Sequence, residues 1–339
     1  MARKVETPSR SKRWVLLLLS AALSLNMASA DEVGDCIVET VQKASESMTV
    51  GEVREQCMAK SVSIADSQAK PADNSSRSSA IERRFVSEFD TMDRPYTLTA
   101  HRPNYVLPYT YNSRPNNAPF DFLESGDVVK REEAKFQVSF KLPVTHDLLV
   151  PDSTLFFAYT NQSWWQLYNT EFSSAFRESD HEPELFVRHF GGPNFGSFRV
   201  AGWDLGFAHQ SNGRPTQLSR SWNRVFANVA LDAGDLSVSV KAWYRLPEDA
   251  NTDDNPAIYQ YLGYGEFRAL YTPNRNTFGL MLRQGTEEGA VELTWSYPLS
   301  SFLRLYASYF NGYGESLLDY DHHLERIGIG VALNDYLQR

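Results

Sequence analysis

Cysteine, positive charge and long apolar runs are all scarce in this chain of 339 residues. The two cysteines, Cys36 and Cys57, are too few for a structural zinc site, which takes about four ligands. Lys and Arg number 33 against 42 Asp and Glu, and the resulting formal charge of −9 argues against a nucleic-acid partner. The apolar run Trp14 to Leu25 falls short of the roughly 20 residues that a spanning helix needs, and no later stretch reaches that length. If this protein enters a membrane, it must do so with strands.

What the N-terminus does have is the layout of an export signal. Arg3, Lys4, Arg10, Lys12 and Arg13 precede the apolar run, and Ala28-Ser29-Ala30 follows it as a small-residue cleavage site. Residues 1–30 are therefore predicted to be a signal peptide. Its removal takes away five basic residues and one acidic one, moving the formal charge from −9 to −13. Acidic groups suit a cation-bridged contact with an anionic lipid surface. Residues 31–65 read as a helical hairpin, with Ile37, Val38, Val41 and Ala44 at helical spacing and Thr49 with Glu52 as a capping box. After export a Cys36–Cys57 disulfide would close that hairpin, worth about 3 kcal/mol; two unpaired thiols are the alternative. Residues 66–102 read as a linker. It is rich in Pro, Ser and Asn up to 82, then charged and irregular, with no predicted element.

From residue 103 to the end the pattern is β. Phe136, Val138, Phe140 and Leu142 alternate with Lys135, Gln137, Ser139 and Lys141. The same alternation recurs at Leu236/Val238/Val240, at Val291/Leu293/Trp295 and at Ile327/Ile329/Val331. Counting from Tyr105–Tyr111, twelve strands are predicted, the others at 135–143, 153–168, 184–192, 198–211, 219–232, 235–246, 257–271, 275–284, 289–298, 301–311 and 323–336. A soluble sandwich shows the same alternation. Two features favour an antiparallel transmembrane β-barrel: the even strand number, and connections that alternate between long and short. The 17 Tyr, 20 Phe and 7 Trp residues suit the aromatic girdles of such a barrel. Asp204, Arg220, Arg224, Lys241 and Glu292 then face inward and can pair across a filled interior.

The stretch Trp203 to Asn223 carries the candidate chemistry. Trp203, Leu205, Phe207, His209 and Ser211 share one face, and the returning strand brings Asn223 to the same side with Val225 and Val229. A serine hydroxyl needs a base to take its proton. His209 can serve, with Asn223 holding the imidazole and the Gly213 N–H receiving a developing oxyanion. Gln210 stands where a G-x-S-x-G elbow would have its variable residue, with no glycine two residues before Ser211, which excludes an α/β-hydrolase. A His and Ser in an interfacial girdle without chemistry remain the alternative from this pattern alone. Trp164-Trp165 reads as a girdle and dimer-edge feature, His322-His323 as an exposed pair, and Gly312 to Ser316 as an extracellular loop.

The segments His209-Gln210-Ser211-Asn212-Gly213-Arg214 and Ser219-Arg220-Ser221-Trp222-Asn223-Arg224 resemble the active-site signature of the outer-membrane phospholipase A family. The likeness extends through Ser163-Trp164-Trp165-Gln166-Leu167, Phe176-Arg177-Glu178, Asn251-Thr252-Asp253-Asp254-Asn255-Pro256 and Gly312-Tyr313-Gly314-Glu315-Ser316-Leu317, over roughly residues 100–336. The resemblance implies a twelve-stranded outer-membrane barrel that hydrolyses phospholipid acyl esters (A1, A2 and lysophospholipase activity) as a calcium-dependent homodimer. It implies Ser211 as nucleophile, His209 as base and Asn223 as orienter. It also implies a calcium site from the Arg214 carbonyl, the Ser219 hydroxyl and a partner-chain Ser173 carbonyl, with Asp254 as a further ligand and Asn161 in the dimer interface. Thr216 stands where the family has an Asp that helps the monomer bind calcium. The chain ends in Arg339 rather than the terminal Phe usual for bacterial barrels. A non-enzymatic barrel, pore or adhesin, is the competing expectation.

Overall fold

Alternating sequences close on themselves when each strand finds a partner on both edges, and that is how this chain solves its edge problem. The computed structural model describes residues 79, 81, 84, 85, 88, 97–123, 128–148 and 150–335; the predicted signal peptide, hairpin and Cys36–Cys57 pair lie outside them. Twelve strands form the ring: β1 Asn104–Asn112, β2 Glu132–His146, β3 Ser153–Trp165, β4 Phe176–Phe190, β5 Phe198–Ser211, β6 Ser221–Ala233, β7 Leu236–Arg245, β8 Gly265–Tyr271, β9 Thr277–Gln284, β10 Gly289–Pro298, β11 Arg304–Gly312 and β12 Leu324–Asn334. Each pairs antiparallel with the next, and β12 pairs with β1, which closes the barrel. Two short strands, Thr99–Ala100 and Asn194–Phe195, pair with β2 and β5.

The pleat sorts the residues. Outward side chains form an apolar wall that includes Val106, Val138, Leu185, Leu205, Phe207, Val225, Val240, Leu293, Ile327 and Ile329, all exposed. Soluble monomers rarely leave so many large apolar side chains in water; such a wall suits lipid. Inward side chains include many charged groups, and the ion pairs among them are close. Arg177 binds Glu133 and Asp319, each at 2.7 Å, and Arg326 binds Glu133 at 2.7 Å and Glu315 at 2.8 Å. Further along, Arg188 meets Asp204 at 2.7 Å, Arg224 meets Glu182 at 2.6 Å and Lys241 meets Glu184 at 2.9 Å. Burying charge is costly, so each buried ion needs its partner in place. An apolar cluster of Phe156, Phe186, Trp222, Phe226, Trp243, Ile258, Leu262 and Leu317 fills space among them. Gly206 makes room for it, since a Cβ there would lie 2.4 Å from the Phe186 Cβ.

Several sequence expectations shift. Strand β4 begins at Phe176 rather than 184, because its Arg177, Glu178, Asp180 and Glu182 point into the charged interior, and such residues do not mark a loop in a barrel. Ile258–Leu262, expected as strand, is a short helix α1 that buries Ile258 and Leu262 at i,i+4 spacing; over five residues an apolar run reads either way. Trp164 faces inward and is fully buried beneath Lys135 and Arg177, so only Trp165 belongs to the outer wall. Residues 313–323 fold into the barrel mouth, where Glu315 binds Lys135 at 2.9 Å and Leu317 and Leu318 are buried. Within the expected linker, Ile81, Arg84, Phe85 and Glu88 are helical, and Glu88 reaches Lys141 at 2.8 Å.

Candidate active site

Strands β5 and β6 form a hairpin whose register decides the site. Ser211 lies opposite Ser221, and His209 lies opposite Asn223. Opposed residues in an antiparallel pair have Cβ atoms about 5 Å apart, within reach of an imidazole and an amide. His209 Nδ1 and Asn223 Oδ1 are 2.9 Å apart. With Oδ1 accepting, Nδ1 carries the proton and Nε2 keeps its lone pair, the tautomer a base requires. Ser211 stands two residues from His209 on the same outward face. Among the described residues no hydrogen bond occupies its hydroxyl, and such contacts are often loose without substrate.

The far side of the Asn223 amide also has a partner. Asn223 Nδ2 donates to Glu248 Oε1 at 3.4 Å, from the connection between β7 and α1. Loss of solvent pushes the Glu248 carboxyl above its ordinary range; Asp253 and Asp254 add to this and Arg245 opposes it. The same connection delivers Asp254, whose Oδ2 accepts from Ser219 Oγ at 2.7 Å and whose Oδ1 accepts from the Ser221 N–H at 2.9 Å. Hydroxyl and carboxylate therefore converge at the base of the hairpin turn.

That turn, residues 212–220, is built from within. Asn212 is buried; its Oδ1 accepts from the N–H groups of Arg214 at 3.3 Å and Arg220 at 3.0 Å, and its Nδ2 donates to the Leu218 carbonyl at 2.7 Å. Gly213 has φ +63°, a left-handed conformation that glycine adopts without penalty, and its surroundings are open. Arg214 anchors the turn to β4 by donating to the carbonyls of Phe176 at 2.8 Å and Arg177 at 2.6 Å. Thr216 begins a single 3-10 turn, Thr216–Leu218.

Asn161 and Ser173 sit on neighbouring elements. Asn161, on the outer face of β3, donates to the Asp180 carbonyl at 3.2 Å and accepts from Ser163 Oγ at 3.2 Å. Ser173 is exposed in the connection 166–175 with φ 53°, and no hydrogen bond joins it to Ser219 or Asp254. Across four strands the register sets Asn161, His181, Ser211 and Ser221 in one row. An interior cavity of about 270 Å³ is lined by Glu182, Arg224, Lys241 and Arg283, among others, and by none of His209, Ser211 and Asn223. His209, Ser211 and Asn223 lie on the outward face, away from the lumen.

A family model described as Phospholipase A1 matches residues 81–333. The chain belongs to that family. It is 39% identical over 251 residues to the phospholipase A1 of Escherichia coli K12, covering 72% of this chain and 83% of the relative. The putative phospholipase A1 of Neisseria meningitidis serogroup B is 38% identical over 253 residues, covering 69% of this chain and 65% of the relative. Among solved structures, the outer membrane phospholipase A of Escherichia coli superposes with a TM-score of 0.68 at 38% identity, over 72% of this chain and 94% of the other. The Salmonella typhi outer membrane phospholipase, solved as a dimer with bound calcium, gives 0.68 at 36% identity, over 71% and 94%. This chain is thus a phospholipid-hydrolysing enzyme on an outer-membrane barrel, which sets aside the pore or adhesin expectation.

Three residues at the phospholipase site carried no role in the sequence reading. Asn212 was visible in the motif, but only the turn geometry reveals it as the clamp. His181 is brought beside Ser211 by the β4–β5 register, with its Nδ1 2.6 Å from the Tyr159 hydroxyl. Glu248 lies in a polar loop, where one carboxylate among several gives no signal of its own.

Proposed function

We propose that this phospholipase hydrolyses acyl esters at the first or second position of phospholipids, and those of lysophospholipids, through Ser211, His209 and Asn223. One observation carries the reading: the 2.9 Å contact of His209 Nδ1 with Asn223 Oδ1, on the outward face that also presents Ser211. His209 Nε2 takes the proton as Ser211 Oγ attacks the ester carbonyl carbon. The Gly213 N–H, in an open left-handed turn, faces the charge that develops on the carbonyl oxygen. Asn223 Oδ1 holds the imidazolium in place. The proton then passes to the departing lysolipid oxygen, and the acyl group stays on Ser211. Water, deprotonated by His209, attacks that ester and releases the fatty acid. Each step uses the same tautomer, and this is the reason an amide acceptor on Nδ1 matters.

Calcium fits the donor set. Ser219 Oγ and the Asp254 carboxylate already converge, and both are hard oxygen ligands, as are the Arg214 carbonyl and the carbonyl of Ser173 of the partner subunit. When bound, the ion would supply positive charge beside the developing oxyanion. The bound calcium and dimeric state named for the Salmonella typhi relative support this assignment. The apolar wall of Leu205, Phe207 and Val225 offers a surface for a second barrel, with Asn161 in the contact, and for the acyl chain. Activity would then depend on dimerisation. The long connections lie outside the cell in this reading, the termini in the periplasm and the site at the outer leaflet.

The test is release of fatty acid and lysolipid from a defined phosphatidylcholine, with and without calcium. Ser211→Ala is expected to abolish release with the barrel intact. Full activity of that variant removes Ser211 as nucleophile, and indifference to chelator removes the metal.

A further inference from the structure

An asparagine can serve in a triad only if its amide is turned the right way. The oxygen and nitrogen ends have nearly the same shape, and a flipped Asn223 would set Nδ2 against the Nδ1–H of His209, donor against donor. A group that accepts hydrogen bonds and does not donate them, on the far side of the amide, removes that ambiguity. Glu248 is such a group: its Oε1 lies 3.4 Å from Asn223 Nδ2.

We infer that Glu248 is a positioning residue that fixes the orientation of Asn223 and so the tautomer of His209, extending the triad to four members. The inference rests on the Ser-His-Asn reading above. Three features of the loop support it. The Leu246 N–H donates to the Asn223 carbonyl at 2.8 Å, which sets the start of the loop against β6 two residues before Glu248. Arg245, the nearest cation in sequence, is already engaged with Asp253 at 2.5 Å and Asn255 at 3.3 Å, and among the described residues no salt bridge reaches Glu248. The loop's own turn is held elsewhere: Asp249 accepts from the N–H groups of Asn251, Thr252 and Asp253, each at 2.9 Å. The turn is thus closed by Asp249, and among the described residues the hydrogen bond that the Glu248 side chain makes is the one to Asn223.

The role predicts a pattern that general loss of structure does not give. Glu248→Ala should lower kcat for release of fatty acid from short-chain phosphatidylcholine micelles by about tenfold, the usual order for losing a group that orients a functional side chain. KM should stay unchanged, since Glu248 acts through Asn223. Glu248→Gln brings an amide that donates as well as accepts and can itself flip, so its kcat should stay well below the parent's; full recovery by Gln overturns the inference. In an Asn223→Ala background, Glu248→Ala should cost nothing more. An equal loss in both backgrounds overturns the inference. So does recovery of Glu248→Ala by raised calcium, which would place its effect at Asp254. Full activity of Ser211→Ala would instead strike the triad reading itself, whatever the Glu248 variants do.

Discussion

Replacing Asn223 by Ala removes the 2.9 Å contact on His209 Nδ1 and nothing that holds the barrel. Asn223 sits half-buried on the outer face, while its neighbours Trp222 and Arg224 carry the interior packing and the ion pair with Glu182. In the proposed mechanism the bond is worth most when the imidazole becomes positively charged, as Ser211 gives up its proton. A hydrogen bond to a charged group contributes about 1.5–3 kcal/mol, and losing it in the transition state slows kcat by about 10- to 150-fold. The ground state loses little, because Asn223 touches the histidine and Glu248, so KM should hold. The assay is single-substrate kinetics on short-chain phosphatidylcholine at saturating calcium, with heat-dependent gel mobility to verify that the barrel is folded. Unchanged kcat in a folded Asn223→Ala barrel would refute the orienting role. A raised KM with kcat intact would instead mean that Asn223 contacts substrate.

Three further outcomes follow from the same geometry. Arg177→Met leaves the buried carboxylates of Glu133 and Asp319 short of their partner and should destabilise the barrel by about 3–5 kcal/mol in urea titrations of vesicle-inserted protein. Leu205→Arg puts a charge in the middle of the apolar outer wall and should cost about 2–4 kcal/mol in the same titration, whereas a polar change facing the lumen should not carry that lipid penalty. Asp254→Ala removes the acceptor of both Ser219 Oγ and the Ser221 N–H, and should raise the calcium concentration for half-maximal activity; an unchanged calcium midpoint would remove Asp254 from the metal site.

The barrel was legible because a membrane strand obeys one rule on each face. Leu236/Val238/Val240 against Ser237/Ser239/Lys241 needs no tertiary information to read as a strand, and β5 and β10 fall where the alternation puts them. The rule fails where the interior is more charged than a loop. From sequence Phe176–Pro183 looks like a connection, because Arg177, Glu178, Asp180 and Glu182 look solvated, yet all four are buried in strand β4. It also fails over short runs. Ile258–Leu262 has five residues, and the periods of strand and helix do not separate over that length. Trp164 and Trp165 are adjacent and chemically alike, so no reading of type could say which turns inward; their register against Lys135 and Ala134 does.

The candidate site divides along the same line. His209, Ser211 and Asn223 were accessible because they share a face of two strands joined by a short turn, and antiparallel register does the rest. Contacts between elements distant in sequence were not accessible. His181 reaches Ser211 only through pairing of β4 with β5, and Glu248 and Asp254 reach the β5–β6 hairpin only because the β7–α1 connection folds back across it. This division has a physical basis. A strand face can carry a nucleophile and a base, but it is open on the outside and leaves one side of every polar group unpartnered. In the proposed triad an Asn in place of a carboxylate lowers the cost of facing lipid, since it adds no net charge. The cost is an amide free to flip. The loop that crosses above the hairpin answers that cost with a carboxylate at the polar end of the barrel, where a charge is tolerated. The charge the triad lacks at Asn223 thus stands one residue further out, at Glu248.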